Sequence, residues 1–133
     1  DGCVHALDPV TGQETMRITV GAMTSKPVCV WRLLVLPDGT LVSADSDGAV
    51  QFWDGKFGAL LQRFTIHAAD VLALAAAPDG SAVFAAGVDS QVAQFQRCVG
   101  ASGGSGLLGT TSSGDAPRVR GDSSTAGAQW VYT

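Results

Sequence analysis

Basic residues are few: eight Lys and Arg stand against twelve Asp and Glu, for a net charge of −4. They are also scattered. Proteins that grip nucleic-acid phosphates directly cluster their cations, so any nucleic-acid role here is expected to be indirect. Cysteine is scarce too. Cys3, Cys29 and Cys98 are odd in number and lack metal-ligand spacing, which argues against a disulfide framework and against a zinc site. They read as reduced thiols of a nuclear or cytosolic protein. No apolar run approaches the ~20 residues of a membrane helix, and no signal peptide is visible. Nothing calls for a cofactor, a metal or a small-molecule substrate. The sequence does not open on Met, and it is expected to be part of a longer chain.

What is present centres on residues 31–64, WRLLVLPDGTLVSADSDGAVQFWDGKFGALLQRF. Residues 28–36 are apolar and β-branched, and suit a buried inner strand; Trp31 within it is expected in the core. Pro37-Asp38-Gly39 is a turn, with Pro presetting φ and Gly accepting φ > 0. Residues 41–44 make a second strand. Ser46-Asp47-Gly48 is a hairpin turn, after which Val50, Phe52 and Trp53 belong to a third strand. Residues 55–58 turn the chain again, and 60–66 form a fourth strand. Four short antiparallel strands cannot close a core alone and need neighbours on both sides.

Those neighbours are visible as repeats. Residues 1–19 align on 47–65 without a gap, with Asp1/Asp47, Gly2/Gly48, Val4/Val50, Asp8/Asp54, Gly12/Gly58, Arg17/Arg63 and Thr19/Thr65 identical. Pro37-Asp38-Gly39 recurs as Pro78-Asp79-Gly80. Four strands on a period of roughly 40–45 residues is the spacing of WD repeats. The expected fold is therefore all-β: a WD40-type β-propeller fragment of about two to three four-stranded blades.

Residues 1–20 read as the end of a preceding blade, 21–66 as a complete WD-type blade, and 67–96 as the first three strands of the next. Residues 97–128 are Gly/Ser/Thr-rich with almost no apolar periodicity, and read as a disordered insertion. Residues 129–133 then supply the outer strand of the same blade. Protease nicks are expected first within 100–126; cleavage inside 40–60 would contradict this layout. Arg120-Gly121-Asp122 resembles an integrin-recognition tripeptide, but in a low-complexity stretch of such a chain it reads as chance.

The structural WD motif is assigned to His67, Asp89, Asp47, Trp53 and Asp54. In WD repeats a His in the blade-linking loop joins an Asp in the turn between the second and third strands. A strand Ser/Thr and the third-strand Trp complete that buried network. His67 and Asp89 hold two of these places, and Asp47 holds the turn place one blade earlier. Ala85 or Ala86 stands where Ser/Thr would sit and Phe95 where Trp would sit, so the network is degenerate. Trp53-Asp54 is the WD dipeptide, with Trp53 packing between blades and Asp54 stabilising the following turn. His67 has no nucleophile or second base at a catalytic spacing. Ser46, Lys56 and Arg63 are candidate surface contacts, equally well explained by solvation. Residues 2–12 also resemble the repeat of quinoprotein-type propeller enzymes, but Met16 stands where their docking Trp would be.

A more specific resemblance runs from residue 17 to 95. Arg17-Ile18-Thr19-Val20, Ser25-Lys26, Cys29-Val30-Trp31, Asp38-Gly39-Thr40 and Ser43-Ala44-Asp45-Ser46 are followed by Val50-Gln51-Phe52-Trp53-Asp54, Ala69-Asp70-Val71 and Phe95-Gln96. Together with Gln129-Trp130-Val131 and Thr133, this run resembles the cirhin family, WD-repeat subunits of the small-subunit processome. The likeness fails across 97–128. It implies a tandem-propeller protein of the nucleolus in the U3 snoRNA-associated, early pre-rRNA-binding subcomplex. It implies a scaffold role, without catalysis, in pre-rRNA transcription and processing towards 18S rRNA. Implied partners are other WD-repeat and helical processome subunits. The pre-rRNA 5′ external spacer would be reached indirectly or through parts of the protein outside this chain. An adaptor of another assembly, such as a ubiquitin ligase, uses the same blades and would co-purify with cullin-type ligases. The quinoprotein reading would instead show quinone-dependent dye reduction.

Overall fold

A computed structural model describes residues 2–21, 25–98 and 129–133. They form ten strands in three antiparallel sheets. β1 (Cys3–Leu7) and β2 (Glu14–Thr19) make a two-stranded sheet. β3 (Val30–Val35), β4 (Leu41–Asp45), β5 (Ala49–Trp53) and β6 (Leu60–Thr65) follow in order as a four-stranded meander, here called blade 1. β7 (Val71–Ala76), β8 (Ala82–Gly87), β9 (Val92–Cys98) and β10 (Gln129–Tyr132) make blade 2 in the same order. The expectations for residues 99–128, including the tripeptide at 120–122, lie outside the described residues.

The internal repeat extends to register. Cys3 pairs with Thr19 and Leu7 with Glu14, with a bulge at Ala6/Leu7. Ala49 pairs with Thr65 and Trp53 with Leu60, with the bulge at Phe52/Trp53. The turns match as well: Asp8 Oδ1 accepts from Val10 N as Asp54 Oδ1 accepts from Lys56 N, both at 2.8 Å. Blades 1 and 2 share a second bulge, at Val30/Arg32 and at Val71/Ala73, that places Val30 on Asp45 and Val71 on Gly87. Counting from those bulges sets Ser43 on Ala85 and Trp53 on Phe95.

Alternation then gives each blade two working faces. Val42, Ala44, Val50 and Phe52 point from blade 1 into blade 2, where Val71, Val83, Ala85, Ala93, Phe95 and Trp130 meet them in one core. Phe52 is fully buried, its ring stacked on Trp130 at 4.6 Å and edge-on to Phe95 at 5.6 Å. The opposite face of blade 1 sends Trp53 onto Ile18, Val20 and Val28 in a second core. Burying Phe52 and its neighbours stabilises the pair of blades by about 1.5–3 kcal/mol per large side chain.

Two expectations are corrected. The inner strand β3 is not buried: Trp31, Leu33 and Val35 are exposed. β3 pairs with β4 alone and forms the inner edge of its sheet, where β7 of blade 2 lies beside it without covering these three side chains. In addition, β9 continues through Arg97 and Cys98, two residues into the stretch assigned to the insertion. Its extension is held by β10, with Arg97 opposite Trp130, and by an ion pair from Arg97 Nη2 to Asp38 Oδ2 at 2.9 Å.

Candidate functional site

The polar residues of the blades gather where the loops meet. His67 sits between β6 and β7 and is 4% exposed. Its Nδ1 lies 2.8 Å from Asp89 Oδ1. A carboxylate accepts, so Nδ1–H is the donor in this bond. Asp89 Oδ2 also takes the Ala68 amide at 3.2 Å. The hydrogen bond from His67, before the Ala68 amide and the imidazole charge, holds the Asp89 carboxyl below its ordinary range. His67 Nε2 is buried with no hydrogen-bond partner. Residue 85, the register counterpart of Ser43, is Ala85, which offers it nothing.

Blade 1 carries the complementary half. Trp53 Nε1 donates to the buried Ser43 Oγ at 2.9 Å. The four-part network is thus divided, with His and Asp in blade 2 and Ser and Trp in blade 1. The Ser43–Trp53 bond was missed from sequence, although the signal was there: both residues lie ten apart, the same spacing as Ala85 and Phe95.

Asp47 holds the turn place that Asp89 holds one blade later, 42 residues on in the shared register, but with no histidine against it among the described residues. It stands at the rim, 3.9 Å from Arg63 Nη2. The buried turn acid of blade 1 is Asp45, whose Oδ1 accepts from Asp47 N and Ala49 N while Oδ2 accepts from Gln51 Nε2. Asp54 caps the β5–β6 turn through Lys56 N, and Lys56 lies 5.4 Å above the Phe57 ring.

Polar links between blades 1 and 2 were also missed. Trp31 Nε1 donates to Asp70 Oδ2 at 2.9 Å, and Arg32 Nε donates to Leu72 O at 3.1 Å. At the outer rim, Gln62 Nε2 donates to Trp130 O while Gln62 Oε1 accepts from Trp130 N. Trp31, expected in the core, is instead a half-exposed rim residue because the bulge at Val30/Arg32 re-aims it.

Among the described residues no group of three or more His, Cys, Asp and Glu gathers to hold a metal, and no helix is long and apolar enough to cross a membrane. Met16, at the docking-Trp position of the quinoprotein repeat, packs under Gly58 with Ile18. A depression of about 280 Å³ near β1 is lined by Gly2, Cys3, Thr19, Gly21, Lys26, Pro27 and Val28, which pair no acid with a base. This arrangement can bind through rims and loops.

Meandering four-stranded blades packed face to back define a β-propeller architecture. The family model described as WD domain, G-beta repeat matches residues 17–54 and 58–95. The chain belongs to the WD-repeat family. It is 45% identical over 100 residues to "U3 small nucleolar RNA-associated protein 4" of Schizosaccharomyces pombe, covering 73% of this chain and 14% of that protein. It is 44% identical over 69 residues to the Saccharomyces cerevisiae protein of the same name, covering 51% of this chain and 9% of that one. The human homolog is 40% identical over 73 residues, covering 54% and 11%. The chain thus spans only a small part of the length of these relatives.

Proposed function

We propose that this chain is a blade-forming segment of a U3 small nucleolar RNA-associated protein of the cirhin family. Its role is that of a non-catalytic scaffold in ribosome small-subunit biogenesis, within the nucleolar processome. The observation that carries this reading is the 45% identity to the Schizosaccharomyces pombe protein, maintained over 100 residues. The physical mechanism is binding. Two blades locked by a shared aromatic core hold their loops and rims rigid, and rigid loops present partners with preorganised contacts. Partners are other WD-repeat and helical subunits of the processome, with the pre-rRNA 5′ spacer reached indirectly. The scatter of the few basic residues supports indirect rather than direct RNA contact.

The test uses the intact parent protein, tagged and purified from nuclear extract at moderate salt. Enrichment of both pre-rRNA 5′ spacer and processome proteins is the expected result. Absence of both, with the protein folded and soluble, overturns the assignment. Co-purification of cullin-type ligases would move it to the adaptor reading.

A further inference from the structure

Trp31 is the residue that the fold leaves over. It is a large apolar side chain, 46% exposed, on a strand that begins at the rim where the loop of His67 to Asp70 also lies. Its exposure follows from backbone geometry. The bulge at Val30/Arg32 takes residue 31 out of the alternation, and the matching bulge in blade 2 does the same to Leu72, which is 43% exposed. Trp31 stays open although blade 2 follows it, and Leu72 stays open although blade 1 precedes it. Neither neighbour alone closes the bulge position.

The Trp31 ring is held in place. Its Nε1–H donates to Asp70 Oδ2 at 2.9 Å. Asp70 is fixed in turn, because its carbonyl accepts from Val88 N at 3.0 Å in the β8–β9 turn. Asp89 in that same turn anchors His67 and the Ala68 amide. The divided WD network therefore positions a carboxylate against an exposed indole. A fixed aromatic costs little further entropy on binding, and Trp is enriched among residues that dominate interfaces.

We propose that Trp31 and Asp70 form a docking platform for a basic side chain, Lys or Arg, of a protein partner. An aromatic face beside a carboxylate attracts a cation twice, through the ring quadrupole and through charge. Asp47 and Asp89 lie in the turns at the same end of the blades. The nearby cation Arg32 directs its Nε to the Leu72 carbonyl instead. The platform rests on the scaffold reading, naming one contact that such a scaffold makes.

The experiment titrates the full parent protein into a fluorescein-labelled peptide of alternating Lys, Arg, Gly and Ser, read by anisotropy. A peptide with Glu in place of every Lys and Arg is the comparison. Trp31→Leu is expected to weaken binding roughly five- to thirty-fold. Trp31→Phe keeps a ring and is expected to retain most of the affinity. Asp70→Asn is expected to weaken binding several-fold and to flatten its salt dependence. Phe57→Ser, on the exposed β5–β6 turn, is expected to change nothing. Unchanged affinity in Trp31→Leu, or equal binding of the Glu peptide, overturns the proposal. So does Trp31-dependent binding of a single-stranded RNA oligonucleotide with none of the basic peptide. If Trp31→Leu does not fold, Trp31→Phe and Asp70→Asn still decide. Failure of the processome purification with the peptide result intact would remove the assembly and leave the platform.

Discussion

Ser43 and Trp53 offer a test that blade 2 has already run in its own sequence. Their hydrogen bond, 2.9 Å long, is made by a fully buried hydroxyl and an indole packed on Ile18, Val20 and Val28. Ser43→Ala leaves the indole N–H without its acceptor inside the core. That orphaning costs about 1–3 kcal/mol. Trp53→Phe removes the donor and part of the ring, costing about 2–3 kcal/mol from the lost bond and lost apolar contact. The double variant recreates the Ala85 and Phe95 pair, in which neither partner has a polar group to satisfy. It is therefore expected to be more stable than the sum of the single losses, by about 1 kcal/mol of coupling. Native-state hydrogen exchange of the intact protein, read on peptides covering β4 and β5, reports the local opening energy directly. Losses that add to within about 0.5 kcal/mol would refute the reasoning and leave Ser43 as a bystander.

Three other outcomes are expected. Phe52→Ala should cost about 3–5 kcal/mol and accelerate exchange in β9 and β10 as well as β5, because the ring bridges both blades; faster exchange confined to β5 would contradict a shared core. Gly48→Ala should destabilise far more than Gly39→Ala, measured as the shift in thermal midpoint. Both glycines have positive φ (+77° and +89°), but a Cβ on Gly48 would collide with the His67 carbonyl oxygen while Gly39 faces open space. On acidification, Asp89 gives a signed prediction. Its folded pKa is depressed, chiefly by the His67 hydrogen bond, so the stability it lends is present above the unfolded carboxyl value near ~4 and is lost as pH falls through the lower folded value. Amides of residues 67–70 should therefore hold their protection down to about pH 5 and lose it below ~4, and Asp89→Asn should abolish that acid step.

Periodic features were legible in the sequence. The gapless match of residues 1–19 on 47–65 carries into paired registers and paired turns, because turn chemistry at Asp8 and Asp54 is set by residues close in the chain. The division of the network was half legible. Ala85 and Phe95 declared what blade 2 lacks, but nothing local announced that His67 Nε2 would be buried without a partner. Links between sheets were not legible. Trp31 with Asp70, Arg97 with Asp38 and Gln62 with Trp130 span large sequence separations, and alternation marks a side chain as inward or outward without naming what it will touch. Trp31 was misplaced for another reason: its burial was inferred from the continuous apolar run 28–36, which marks a strand as apolar without saying which of its side chains a neighbour will cover.

The grip of Gln62 on Trp130 has a consequence for how this protein can change. An amide side chain that both gives to and takes from one backbone unit behaves like a fragment of an extra strand. It sets where β10 lands against β9 from a point already fixed in blade 1. The returning segment thus finds its alignment by local matching, whatever length of chain connects it to Cys98. Lengthening such a connection is cheap, about 0.6 kcal/mol for each doubling. A change in the length of chain between Cys98 and Gln129 is therefore expected to leave β10 in register on β9.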